Sequence, residues 1–148
     1  MKFLIINGPN INMLGIREPE IYGSADYAEL CRRITARAQE LGVEAEIFQS
    51  NHEGDIVDKI QAAYGKTDAI IINPAAYTHT SIAIRDALSA VGIPAAEVHI
   101  SDISAREGFR AVNYISEVCL CTVNGRGING YIEAMDILFA ELKGGTPQ

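Results

Sequence analysis

Five short apolar runs alternate along this chain with segments of helical period, and that alternation admits few folds. The runs are Phe3–Asn7, Val43–Phe48, Ala69–Asn73, Ala95–His99 and Val118–Asn124. Several are apolar at nearly every position rather than at every second one, which is the pattern of strands covered on both faces. Between them, Asp26 to Leu41 places Leu30, Ile34, Ala38 and Leu41 on one helical stripe and stops at Gly42. Ser50-Asn51-His52-Glu53 has capping-box spacing and opens a helix through Ile56, Ile60 and Ala63. Thr80 to Val91 and Gly130 to Leu142 are the remaining helices. Sequential pairing with right-handed crossovers predicts an α/β chain with a flavodoxin-like, doubly wound five-stranded parallel sheet of order 2-1-3-4-5 and helices on both faces. Its 148 residues make a single catalytic domain, 1–148, with only the tail from Gly144 to Gln148 reading as loose.

In open α/β sheets ligands collect beyond the carboxyl ends of the strands, at the point where the strand order reverses. Here that point lies between strands 1 and 3, so the loops after strands 1, 3 and 4 should line one crevice. The polar motifs fall there. Asn73-Pro74-Ala75-Ala76-Tyr77-Thr78-His79-Thr80-Ser81 follows strand 3, and Glu97-Val98-His99-Ile100-Ser101 ends strand 4. Glu97 and His99, two apart in a strand, share a face, and a carboxylate beside an imidazole favours its protonated form. That pair describes a general acid. The connection between Asn7 and Asp26 takes eighteen residues where two to six are usual, so 11–25 reads as an active-site lid, with Gly8, Gly15 and Gly23 as hinges. It delivers Arg17 and Tyr22; the plainer alternative has Tyr22 packing and Arg17 solvated.

Other chemistries fit less well. Gly125-Arg126-Gly127-Ile128-Asn129-Gly130 matches the dinucleotide fingerprint in letters, but it precedes the terminal helix instead of the first βα crossover, and it is read as a glycine-rich turn. The loop Gly8–Met13 lacks the hydroxyls of an FMN phosphate loop, and Asn73 and Asn124 stand where a phosphoacceptor domain needs Asp and Lys. His79, His99 and Glu97 are too few for a zinc site, and His52 reads as an exposed polar residue. Lys2, Lys59, Lys66 and Lys143 all lie away from the crevice, which leaves no Schiff-base nucleophile, and no Ser or Cys has an elbow motif. No metal and no cofactor is expected, and acid–base chemistry on a small hydroxylated substrate remains. A net charge of −7 gives a nucleic acid or anionic membrane no support. Cys31, Cys119 and Cys121 read as buried reduced thiols, and no segment reads as a signal peptide or membrane span, so the expected location is cytoplasmic.

Taken together, Asn7-Gly8-Pro9-Asn10, Leu14-Gly15, Arg17-Glu18-Pro19, Tyr22-Gly23, Gln49-Ser50-Asn51, Glu53-Gly54, Thr78-His79-Thr80-Ser81, Arg85-Asp86-Ala87, Glu97–Ser101, Arg106-Glu107 and Phe109-Arg110 resemble, in order and over nearly the whole chain, type II 3-dehydroquinate dehydratase. The resemblance implies a cofactor-free trans-elimination of water from 3-dehydroquinate to 3-dehydroshikimate through an enolate, in a homododecamer built as a tetramer of trimers. It assigns Tyr22 as the base at C2, Arg17 as its support, His99 as the acid for the C1 hydroxyl and Asn10 as holder of a water at the enolate. Glu97 completes the catalytic set. The substrate-binding residues it implies are Asn73, His79 and Arg110 for ring hydroxyls, the backbone amides of Ile100 and Ser101 for the carboxylate, and Asp86 for a neighbouring subunit's site. A free phenol titrates near 10, so a tyrosinate base needs positive charge beside it, from Arg17 with Arg106 as a second source. The chain departs from the family pattern at four positions: Asp102 for Asn, Asn113 for Ser, Ala75 for Gly, and Cys121 at a small-residue position. Asp102 either weakens the grip on a bound carboxylate or caps the following turn. The competing reading is a noncatalytic relative that binds a polyol acid or scaffolds an oligomer.

Overall fold

The computed structural model describes residues 1–16, 25–103 and 108–144. Its five parallel strands are β1 (Lys2–Asn7), β2 (Glu44–Gln49), β3 (Ala69–Asn73), β4 (Ala95–His99) and β5 (Cys121–Asn124), in the order β2-β1-β3-β4-β5. The helices are α1 (Tyr27–Leu41), α2 (Glu53–Ala62), α3 (Ile82–Val91) and α4 (Asn129–Leu142). The sheet order and flavodoxin-like class expected from the sequence are the ones found.

β1 from Phe3 to Ile6 and β3 from Ala69 to Ile72 are apolar at every position because each strand serves two cores. Phe3 and Ile5 of β1 and Ala69 and Ile71 of β3 pack with Leu30 and Ile34 of α1 and Met135 and Leu138 of α4. Their neighbours Leu4, Ile6, Ile70 and Ile72 point the other way, onto Ile56 and Ile60 of α2 and Ile84 and Leu88 of α3. The apolar stretches stop in step at the carboxyl edge. Asn7 is in register with both Gln49 and Asn73, and His99 with Asn124, so all five strands end on a polar residue. That row is the floor on which the loops stand.

Caps explain where most helices begin. The Asp26 carboxylate accepts from the Glu29 amide at α1, and Ser81 Oγ accepts from the Ile84 amide at α3. At α2 the expected capping box does not form. The helix starts after His52, which is exposed and makes no side-chain cap, while Ser50 Oγ accepts from the His52 amide and donates to Asp55 Oδ2 at 3.0 Å. Strand 5 also begins later than its apolar run suggests. Ser116–Val118 form a 3₁₀ turn, and Val118 and Cys119 pack against the α2–α3 core instead of pairing in the sheet. The three cysteines are free thiols, half-buried where full burial was expected.

Gly8 is not a hinge. A Cβ there would stand 2.4 Å from the Pro74 carbonyl oxygen, because the Gly8 amide donates to Asn73 O at 2.8 Å and draws the two loops together. Ala75, where the family pattern has glycine, has φ of 54°, the left-handed region that a glycine occupies without strain.

Candidate active site

Three loops do meet in one pocket. Pro9, Asn10 and Ile11 come from the segment after β1, Asn73, Ala75, Ala76 and His79 from the end of β3, and His99, Ile100, Ser101 and Ile103 from the end of β4, with Arg110 closing the rim. The cavity among these residues is about 130 Å³, well below the roughly 300–1,000 Å³ of drug-sized sites. One small ring fits it better than a nucleotide does.

The Glu97–His99 pair lies at the inner wall. Glu97 and His99 are 0% and 4% exposed, and His99 Nε2 is 2.7 Å from Glu97 Oε2. A carboxylate buried so completely is tolerable only if its lone pairs are met. They are. Thr78 Oγ1 donates to Oε2, the Asn113 amide nitrogen reaches both oxygens at 3.0 and 3.1 Å, and Thr122 Oγ1 donates to Oε1 at 3.2 Å. Burial by itself would raise the Glu97 carboxyl, but the hydrogen bond and charge of His99, with those of Thr78 and Asn113, outweigh it and hold the group below its ordinary range. Glu97 thus stays ionised and offers His99 a fixed counter-charge.

That cage has a consequence for stability. A group whose folded value is depressed stabilises the fold above its ordinary value, 4.5, and loses that contribution as pH falls through the lowered one. Melting temperature measured from pH 7 downward should therefore fall more steeply below pH 4.5 in the parent chain than in Glu97→Gln, which has no carboxyl to protonate. Parallel curves would remove this account of Glu97.

Elsewhere in the pocket lining, His79 Nδ1 lies 2.7 Å from the Val112 carbonyl, which can only accept, so Nδ1 carries the proton and Nε2 is left for a ligand. Burial pushes the His79 imidazole down; the Val112 contact opposes it, and Arg110 and His99 add to the fall. Among the described residues, the backbone amides of Ile100 and Ser101 are not taken by a hydrogen bond, which suits an anion at the end of β4. Asn73 is 2% exposed; its Oδ1 accepts from the Ala75 amide at 3.0 Å and its Nδ2 donates to Tyr131 Oη at 2.9 Å, leaving one N–H.

Asn10, Asn73, His79, His99, Ile100, Ser101 and Arg110 thus line one pocket, with Glu97 directly behind His99. Asp86 is exposed on α3 and does not line the pocket. Tyr22 and Arg17, with Arg106, lie outside the described residues, as does most of the segment expected to act as a lid. Asp102 is held by Asn124, whose Nδ2 donates to its Oδ1 at 3.1 Å while its Oδ1 accepts from the Ile103 amide, so Asp102 is tied to the end of β5 and is not a pocket residue. Sequence reasoning missed the holders of Glu97. Asn113 drew notice only as a departure from pattern, and Thr122 becomes legible only through its register opposite Glu97.

Comparison with known proteins agrees with this geometry. The family model described as "Dehydroquinase class II" matches residues 1–139. A 3-dehydroquinate dehydratase of Caldicellulosiruptor bescii is 58% identical over 135 residues, 90% of this chain and 93% of its own. A protein of Aspergillus terreus named catabolic 3-dehydroquinase 1 is 52% identical over 145 residues, 96% of this chain and 95% of its own. The crystal structure of a type II dehydroquinase from Butyrivibrio crossotus superposes with a TM-score of 0.91 at 52% identity, covering 93% of this chain and 97% of that one.

Proposed function

The chain belongs to the class II dehydroquinase family and is a 3-dehydroquinate dehydratase, a hydro-lyase, and we propose that it divides the elimination between two residues, one a base and the other an acid. Tyr22, as tyrosinate supported by Arg17, takes the proton from C2 and leaves an enolate. His99 then donates its proton to the C1 hydroxyl, the C1–O bond breaks, water departs and the C1–C2 double bond of 3-dehydroshikimate forms. The observation that carries this reading is the buried Glu97–His99 pair opening on the pocket. An ionised carboxylate on Nε2 makes the imidazole a better proton carrier while keeping its ring in place.

The remaining polar groups fit a hydroxylated ring acid. Ile100 and Ser101 offer amides to the carboxylate, Asn73, His79 and Arg110 meet ring hydroxyls, and Asn10 steadies a water beside the enolate. No metal, flavin or nicotinamide takes part. Among the described residues no helix is long and apolar enough to cross a membrane, and the proposed setting is cytoplasmic, without nucleic-acid or membrane partners. We place the active form in a homododecamer, a tetramer of trimers, in which Asp86 reaches a neighbour's site. The same reaction serves aromatic biosynthesis and quinate breakdown.

Purified chain given 3-dehydroquinate with a metal chelator present should generate the ultraviolet absorbance of a conjugated enone, and the active species should sediment as an oligomer. No absorbance change would favour a noncatalytic binding protein. A fully active monomer would remove the role of Asp86.

A further inference from the structure

Behind the pocket, on the sheet face opposite Glu97, four polar side chains form a line through the core. Tyr131 of α4 is fully buried, and its Oη lies 2.7 Å from Asn7 Oδ1 and 2.9 Å from Asn73 Nδ2. Asn7 Nδ2 in turn donates to Tyr27 Oη, in the first turn of α1, at 3.4 Å. A phenol has one proton to give. Asn7 Oδ1 can only accept, so that proton goes to Asn7, and Tyr131 Oη must accept from Asn73. The direction of every bond in the line follows: Asn73 to Tyr131, Tyr131 to Asn7, Asn7 to Tyr27. Burial pushes the Tyr131 phenol up, so it remains a hydroxyl and the direction holds across the working pH range.

Asn73 is the one member of the line that also faces the pocket. Its carboxamide is held at both ends, Oδ1 by the Ala75 amide and Nδ2 by Tyr131, so it cannot exchange nitrogen for oxygen without breaking two bonds. We propose that Tyr131 is a positioning residue for substrate binding: by accepting one N–H of Asn73 it presents the other to the pocket as a donor, and so selects a ligand oxygen that accepts there. The inference rests on the substrate contact proposed above for Asn73. A ring hydroxyl meets this demand through its lone pairs. A group that can only donate does not.

The test is a double-mutant cycle on the full-length enzyme, with kcat and KM for 3-dehydroquinate measured separately. Tyr131→Phe keeps the ring and removes the acceptor; KM should rise roughly three- to tenfold, the value of about one hydrogen bond, with kcat within about twofold because Asn73 meets a ring hydroxyl and neither gives nor takes a proton in the elimination. In an Asn73→Ala background the same change should leave KM where Asn73→Ala alone put it. Equal rises in both backgrounds would mean that Tyr131 only holds the fold together, and would overturn the proposal. So would an unchanged KM in Tyr131→Phe. An unchanged KM in Asn73→Ala, in an enzyme that still turns over, would remove the Asn73 contact itself and leave the dehydratase assignment standing. Should Tyr131→Phe not fold, Asn7→Ser withdraws the acceptor that fixes the phenol's proton, and the same dependence on Asn73 is expected. A KM rise in Asn7→Ser that persists without Asn73 would count against the proposal.

Discussion

His99→Ala is expected to cost dehydration the 10²–10⁴-fold typical of a lost general acid while leaving the C2 hydrogen of 3-dehydroquinate free to exchange with solvent. Tyr22→Phe is expected to abolish both. The asymmetry follows from the order of events: proton removal at C2 precedes departure of the hydroxyl, so a variant lacking only the acid still forms and reverses the enolate. NMR in deuterated water reads exchange and product on the same sample. Exchange lost in His99→Ala but kept in Tyr22→Phe would reverse the two assignments.

Glu97→Gln, one atom changed, should lower kcat by about 10²-fold or more with the fold intact. The reason lies in which neighbours can turn. A carboxylate accepts at both oxygens, whereas a carboxamide must aim its NH₂ somewhere. Asn113 Oδ1 already accepts from the amides of Ile115 and Ser116 at 2.8 and 3.0 Å, which locks its Nδ2 as a donor 3.0 and 3.1 Å from the two carboxylate oxygens, so the new NH₂ meets it at either position. Beside Thr78 and His99, the new NH₂ lets Thr78 redirect its hydroxyl to Asn113 Oδ1 at 3.2 Å, but His99 can yield only by giving up the proton on Nε2; beside Thr122, it leaves His99 facing a neutral carbonyl. In either arrangement the imidazole has lost its counter-charge. Glu97→Leu, which strands the donors altogether, should destabilise the chain by about 3–5 kcal/mol, read as a drop in melting temperature. A Glu97→Gln enzyme within about fivefold of the parent would show that the carboxylate does not act through His99.

How much of this was visible beforehand depended on whether the signal was local. The sheet was legible because β1 from Phe3 to Ile6 and β3 from Ala69 to Ile72 are unbroken apolar runs, and Glu97 with His99 stood out through period-two spacing. The late start of β5 was not, since Val118 and Cys119 are as apolar as a strand yet pack beneath α3, and composition does not separate the two uses. The failed capping box is similar: Ser50 has the right spacing but makes its bonds to His52 and Asp55. Asn113, sixteen residues from Glu97, and Tyr131, 124 residues from Asn7, are joined to the site only by the fold. In the sequence, Tyr131 reads as one more member of the buried stripe of α4. Tyr22 and Arg17 remain readings of the sequence.

The row of polar strand ends divides the molecule by how it can change. Asn7 is in register with Gln49 and Asn73, and His99 with Asn124, so inserting or deleting one residue within a strand would displace one wall of the pocket and invert the cores at the same stroke. The loops that begin one residue later are constrained where they hold the site, at Gly8 against Pro74 and at Thr78 and Asn113 on Glu97. Around those anchors their length and composition can be exchanged while the Glu97–His99 pair stays where it is, which makes the carboxyl edge a natural splice line for grafting a different substrate preference onto the same pair.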